Sequence, residues 1–233
     1  MLMLVARTFL FVTFQAMIAL GFLVWGADHP WDASVAYWPV TVSLTNLVCL
    51  GLLHRLTRSE GSRLLELIPF EGRRVVLDLL TAVGILVVCA PLVLFPNYAL
   101  GVWLFGDPNV PSGMFFRPLP YWLALVCLLV FPLTVALAEL PTYFAYVMPR
   151  LVVLSRRPWL AWLMASFWLG VQHVALPLMF DWRFAVWRAL MFLPFALFVG
   201  ATLLWRPRLL PYLMVGHGLL DLVTMWMIFT LVP

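Results

Sequence analysis

Four residues of this 233-residue chain have types and spacing that could hydrolyse a bond: Glu139, His173, His217 and Asp221. Each stands inside an otherwise apolar run. An ionisable group at membrane depth is costly to place, so it points to function, with a partner to be found nearby. His217 and Asp221 lie in HGLLD, an i, i+4 pair on one helical face. The carboxylate can orient or charge-stabilise the imidazole there, or both can ligate one metal. Glu139, His173 and His217 make a set that can bind a divalent metal such as Zn²⁺ with one position open for water. The same set can work without metal, Glu139 taking a proton from water while the imidazoles steady the oxyanion.

These groups can converge only from similar depths. At about 1.5 Å per helical residue, Glu139 lies ~16 Å from Arg150, His173 ~21 Å from Trp159, His217 ~12 Å and Asp221 ~18 Å from Leu209. All fall around the middle of a hydrocarbon core about 30 Å thick. Gly216 and Gly218 flank His217 and allow a neighbouring helix to come close. Pro141 follows Glu139 by two residues. It removes a backbone donor, which predicts a kink or break near residues 137–141.

The elements that must carry these residues are membrane helices. The chain is 65% hydrophobic and 10% charged, against roughly 45 to 50% and 25% in soluble domains. The composition predicts an all-α polytopic transmembrane bundle, one membrane domain over residues 1–233. Seven apolar runs fall at 8–26, 37–54, 75–96, 119–149, 159–180, 184–204 and 209–231. They predict seven spans, or eight if the long fourth run is two pieces. The first run is long for a signal peptide and has no small-x-small site at its end, so it counts as a span.

All 14 basic side chains are Arg. They are scattered among the loops instead of lining one face, which argues against a nucleic-acid partner and for topology signals. With the amino terminus cytoplasmic, Arg7, then Arg55, Arg58, Arg63, Arg73 and Arg74, then Arg150, Arg156 and Arg157, then Arg206 and Arg208 share the cytoplasmic side, leaving Arg117, Arg183 and Arg188 opposite. Residues 55–74 suit either an interfacial amphipathic helix or a solvated loop. Residues 97–118 suit a loop folded back at the opposite surface. Asp78 is expected to pair with Arg74 one turn earlier, and Arg188 to reach toward the interface. Gln15, Asn46 and Gln172 are expected to hydrogen-bond between helices. Cys49, Cys89 and Cys127 lie within apolar runs without CxxC spacing, which supports neither a disulfide nor a thiolate metal site.

The motifs resemble those of the CPBP (CAAX protease and bacteriocin-processing, or Abi) intramembrane metalloproteases. The family's first motif is like EExxFRGYLxPRL, and ELPTYFAYVMPRL aligns to it without gaps. Glu139 matches its leading Glu, and Tyr146, Pro149, Arg150 and Leu151 match its tail. SFWLGVQH supplies His173 for the second motif, and HGLLD supplies His217 and Asp221 for the third. The motif core spans residues 138–221. Leu140 stands where the family has a second Glu, and Phe144 where it has an Arg. Both partners of a salt bridge are gone together, so no buried charge is left unpaired.

The resemblance implies a type II CAAX endopeptidase-like fold. It implies an intramembrane endopeptidase acting on a membrane-associated protein or peptide, with catalytic Glu139, His173, His217 and Asp221, and a metal held by the first three. It also implies a multi-pass place in the cytoplasmic membrane of a prokaryote, with lipid and a membrane protein or peptide as partners. Two other classes fit the residues: a non-catalytic membrane scaffold or binding protein on the same fold, and a haem protein with His173 and His217 as axial ligands.

Overall fold

A computed structural model describes residues 2–231. Eleven helices follow one another: α1 (Leu2–Val24), α2 (Pro30–Val35), α3 (Trp38–Ser59), α4 (Val75–Phe105), α5 (Val110–Phe115), α6 (Tyr121–Leu140), α7 (Met148–Ser155), α8 (Pro158–Val171), α9 (Trp182–Met191), α10 (Leu193–Trp205) and α11 (Leu210–Phe229). Prolines at the first turn begin α2, α3, α5, α7, α8, α10 and α11. The missing N–H costs nothing there and the fixed φ suits the helix. The fold is all-helical, and among the described residues the only strand-like pairing is a bridge between Ala175 and Leu178.

Six helical stretches among the described residues are long and apolar enough to cross a membrane: Leu2–Val24, Trp38–Ser59, Leu64–Phe105, Tyr121–Ser155, Trp182–Trp205 and Pro207–Phe229. The apolar run at 159–180 behaves differently from the others. Its helix, α8, has 14 residues, short of the roughly 20 a crossing needs. It ends in a 3₁₀ turn at Gln172–Val174, followed by a tight reversal at Ala175–Leu178 containing a cis Leu176–Pro177 bond.

The long fourth run is continuous rather than broken. The α6 helix passes into a seven-residue π-helical segment, Pro141–Val147, and then into α7. Pro141 has no backbone donor to give, and beside it the Thr142 hydroxyl donates to the Ala138 carbonyl at 2.5 Å. Residues 55–74 form two short 3₁₀ turns, Leu64–Leu67 and Gly72–Arg74, and no amphipathic helix. Residues 97–118 are more ordered than a surface loop: α4 runs on to Phe105, and α5 inserts Phe115 among Trp38, Phe184 and Trp187.

Two apolar clusters fill the bundle. One gathers Met3, Leu4, Cys49, Leu53, Leu140, Tyr143, Leu169 and Leu213 toward the end where α3 finishes and α11 begins. The other gathers Phe11, Val42, Val135, Ala175 and Met225 toward the opposite end. On each helix the switch between clusters falls at a polar residue: Arg7 between Ala6 and Phe11, Asn46 between Val42 and Cys49, Glu139 between Val135 and Leu140, Gln172 between Leu169 and Ala175, and His217 and Asp221 between Met214 and Met225. A polar layer therefore separates two dry halves.

Candidate functional site

Glu139, 4% exposed, is the centre of that layer. Its Oε1 accepts from Gln172 Nε2 at 2.5 Å and from Arg7 Nη2 at 3.3 Å. Its Oε2 lies 3.0 Å from His217 Nε2. Arg7 is fully buried and uses three directions of its planar guanidinium: Nη2 to Glu139, Nε to Gln172 Oε1 at 2.9 Å, and Nη1 to Asn46 Oδ1 at 2.5 Å. Lysine, a point charge, could not satisfy all three at once. The network continues through Asn46 Nδ2 to Thr134 Oγ1 at 3.2 Å, and Tyr143 OH donates to Gln172 Oε1 at 3.0 Å. Side chains from α1, α3, α6 with its π-helical continuation, the turn after α8, and α11 thus meet around one carboxylate.

Arg7 was expected at the cytoplasmic end as a topology signal, and the structure places it inside the bundle instead. An ionised carboxylate in an apolar interior persists only if paired and hydrogen-bonded. Arg7 is the charge that pairs Glu139. Leu140 and Phe144, which stand where the family motif has its second Glu and its Arg, are buried among apolar side chains. The positive charge beside the carboxylate comes from α1, not from the motif's own helix.

Of the four residues singled out from sequence, the structure brings three together. His217 Nε2 faces Glu139 Oε2 at 3.0 Å and Asp221 Oδ2 at 3.3 Å. Both carboxylates approach the same ring nitrogen, so Asp221 does not orient the imidazole from its far side. His217 Nδ1 is buried without a hydrogen-bonding partner among the described residues. Phe195 packs beside the imidazole, ring centroids 5.9 Å apart.

His173 stands apart. Its Nδ1 lies 3.0 Å from the Gly170 carbonyl, its ring packs on Phe192 at 4.4 Å, and it makes no hydrogen bond or ion pair with Glu139, His217 or Asp221. Within the 3₁₀ turn it is Gln172 whose side chain reaches Glu139, while the His173 ring lies against Phe192. Gln172 takes the place beside Glu139 that the sequence suggested for His173.

Two further charges sit differently from expectation. Arg188, expected at the interface, is 4% exposed and lies over Phe115, Trp187 and Phe192 at 4.8 to 5.6 Å. It donates to the carbonyls of His173, at 3.2 Å, and Leu176. The guanidinium satisfies backbone that the non-helical stretch leaves open, and aromatic faces solvate its charge. Asp78 pairs not with Arg74 but with Arg208, Oδ1 to Nε 3.1 Å, tying α4 to the start of α11. Gln15 exchanges two hydrogen bonds with the Leu178 backbone, fixing the reversal to α1.

Arg7, Gln172, Asn46 and Tyr143 went unrecognised as site residues. Arg7 carried the clearest signal, a single charge in the first apolar stretch. Its nearness to the terminus made a topology role the simpler reading.

Among the described residues no group of three His, Cys, Asp or Glu side chains is arranged to hold an ion. The guanidinium of Arg7 already stands against the carboxylate that would be the ligand. It supplies positive charge at Oε1, while Oε2 faces His217. Comparison with protein-family models, curated proteins and solved structures returned no match.

Proposed function

We propose that the chain is an intramembrane endopeptidase of the CPBP type, cleaving a peptide bond of a membrane-associated protein or peptide. The observation that supports this best is the contact of Glu139 Oε2 with His217 Nε2 at 3.0 Å inside a polar layer enclosed by apolar clusters. A carboxylate and an imidazole in hydrogen-bond reach are the pair that general acid–base hydrolysis needs.

In this reading Arg7 and Gln172 hold Oε1 and leave Oε2 to do the chemistry. Glu139 takes a proton from water as the hydroxide adds to the scissile carbonyl. His217 gives its Nε2 proton to the departing amine as the carbon–nitrogen bond breaks, and recovers one from protonated Glu139. Asp221 stabilises the imidazolium that donates this proton and that re-forms when the proton from Glu139 returns to Nε2. Donors aimed at developing charge in such a dry site act more strongly than in water.

The same reading takes α8 and the stretch through residue 181 as a seventh, interrupted crossing. Non-helical backbone at membrane depth is tolerated where it is buried in protein, and the ties of this stretch to Gln15 and Arg188 supply that burial. The arginine-rich end then faces the cytoplasm of a prokaryotic cell.

One observation favours a second reading, a non-catalytic scaffold: both oxygens of Glu139 are already engaged by protein groups. Comparing the termini of membrane proteins and peptides in cells carrying wild type or Glu139→Gln separates the two. Catalysis predicts termini that disappear with the variant, because losing a general base lowers the rate by about 10²- to 10⁴-fold. Identical termini, with the variant folded and present in the membrane, would leave the scaffold.

A further inference from the structure

A cleft of about 410 Å³ opens at the arginine-rich end, between the Leu64–Leu67 turn, the π-helical segment, α7, the end of α10 and the start of α11. It belongs to no part of the polar layer. Its walls are apolar, with Phe144, Met148, Val152, Leu203, Leu204 and Leu210 among them, and Glu66 is the one charged residue of the lining. Walls of this kind offer a ligand burial and almost no hydrogen bonds, which suits a hydrocarbon chain rather than a peptide. The volume lies in the range of pockets that take a single small molecule.

Beyond the lining, the chain at this end of the molecule has the opposite chemistry. Pro207 lines the cleft, and Arg206 beside it is exposed and forms no ion pair among the described residues. Trp205, next in line, is 89% exposed at the end of α10. An exposed Trp closing an apolar helix marks the level of lipid headgroups. Ten of the arginines belong to this end, against Glu60, Glu66, Glu71 and Asp78. Glu60 and Asp78 are already paired, with Arg150 and Arg208. Glu66 accepts the Arg63 backbone N–H at 3.1 Å.

We propose that this cleft binds one anionic phospholipid, its acyl chain between α7 and α10 and its phosphate against Arg206. Hydrocarbon walls at an arginine-rich end, with the exposed Arg206 and Trp205 next to Pro207 of the lining, match a molecule that is apolar at one end and anionic at the other. The inference does not depend on catalysis by Glu139.

The test uses the full chain in bilayer discs of equal parts phosphatidylglycerol and phosphatidylcholine, released gently for intact-complex mass spectrometry. One retained phosphatidylglycerol per chain, in excess over phosphatidylcholine, is expected. Arg206→Gln should cut that excess about fivefold, the worth of one arginine at a lipid surface. Val152→Trp, which fills the cleft, should lower retention of both lipids. Excess inorganic phosphate should displace neither. Equal retention of the two lipids by wild type would overturn the proposal, as would unchanged retention in Val152→Trp. Displacement by phosphate alone would overturn the lipid assignment in favour of a simple anion site. Arg206 is exposed, so its variant tests the headgroup contact without disturbing the core.

Discussion

Removing Arg7 leaves Glu139 ionised in an apolar interior with only neutral donors and an imidazole beside it. Breaking a buried pair from one side costs about 3 to 5 kcal/mol. Arg7→Met should therefore lower the thermal midpoint in detergent sharply, or prevent accumulation. Arg7→Met with Glu139→Leu removes both charges, and should be more stable than Arg7→Met alone even though Asn46 and Gln172 lose a partner. Arg7→Lys should fall between wild type and Arg7→Met, since one ammonium cannot serve Glu139, Asn46 and Gln172 together. Melting curves of the four proteins check the order. A double variant no better than the single one would mean that Arg7 matters for its hydrogen bonds and not for its charge.

At the scale of elements, close helix contacts depend on glycines of different importance. A Cβ on Gly200 of α10 would lie 2.2 Å from Ser166 Oγ of α8 and 2.8 Å from the Phe144 ring. Both neighbours belong to the packed core, so Gly200→Ala should destabilise by about 1 to 3 kcal/mol through overpacking. A Cβ on Gly216 would meet only the tip of Leu86, at 2.5 Å. Leu86 belongs to α4, whose buried residues are few, and its side chain can turn aside. Gly216→Ala should change the midpoint little, its helix propensity gain of up to about 1 kcal/mol offsetting the shift of Leu86. Melting the two variants side by side checks the contrast.

For the whole molecule, ion pairs at the two ends tie together elements distant in the chain. At one end Glu60, after α3, holds Arg150 of α7 and accepts from Tyr146 OH at 2.8 Å. At the other, Asp32 of α2 takes two bonds from Arg117 at 3.0 Å each. The hydrogen bond from Arg150 lowers the Glu60 pKa below its ordinary value, and that from Arg117 does the same for Asp32. A carboxyl with a lowered folded pKa contributes stability above its unfolded value, and that contribution disappears as pH falls through the folded one. The thermal midpoint should accordingly decline on the acid side of pH 4 to 5, the ordinary carboxyl range. Glu60→Gln and Asp32→Asn should each flatten that decline while lowering the midpoint modestly at neutral pH. Both pairs are partly exposed, so salt should reduce the difference between variants and wild type.

By itself the sequence determined the class of molecule and most of its elements. Apolar runs of crossing length and sparse charge admit little besides a membrane bundle, because no soluble core could hide that much apolar surface. It also determined that Glu139, His217 and Asp221 could meet, since the i, i+4 spacing and the distance of each from its helix end are local quantities. The helical disturbance after Glu139 was legible as proline chemistry, although its form, a π-helical widening, was not. Only the tertiary structure decided which groups complete the layer. Arg7, Asn46 and Gln172 come from helices far apart in the chain, and no local pattern tells a buried arginine from one at a membrane surface. The choice of Gln172 over His173 beside Glu139 turns on one residue of rotation in a 3₁₀ turn. The seating of Arg188 on backbone carbonyls, and of Asp78 with Arg208 rather than Arg74, follows from helix packing. Partners in an apolar interior are chosen by three-dimensional proximity, because a buried charge takes whichever partner the packed helices bring within reach.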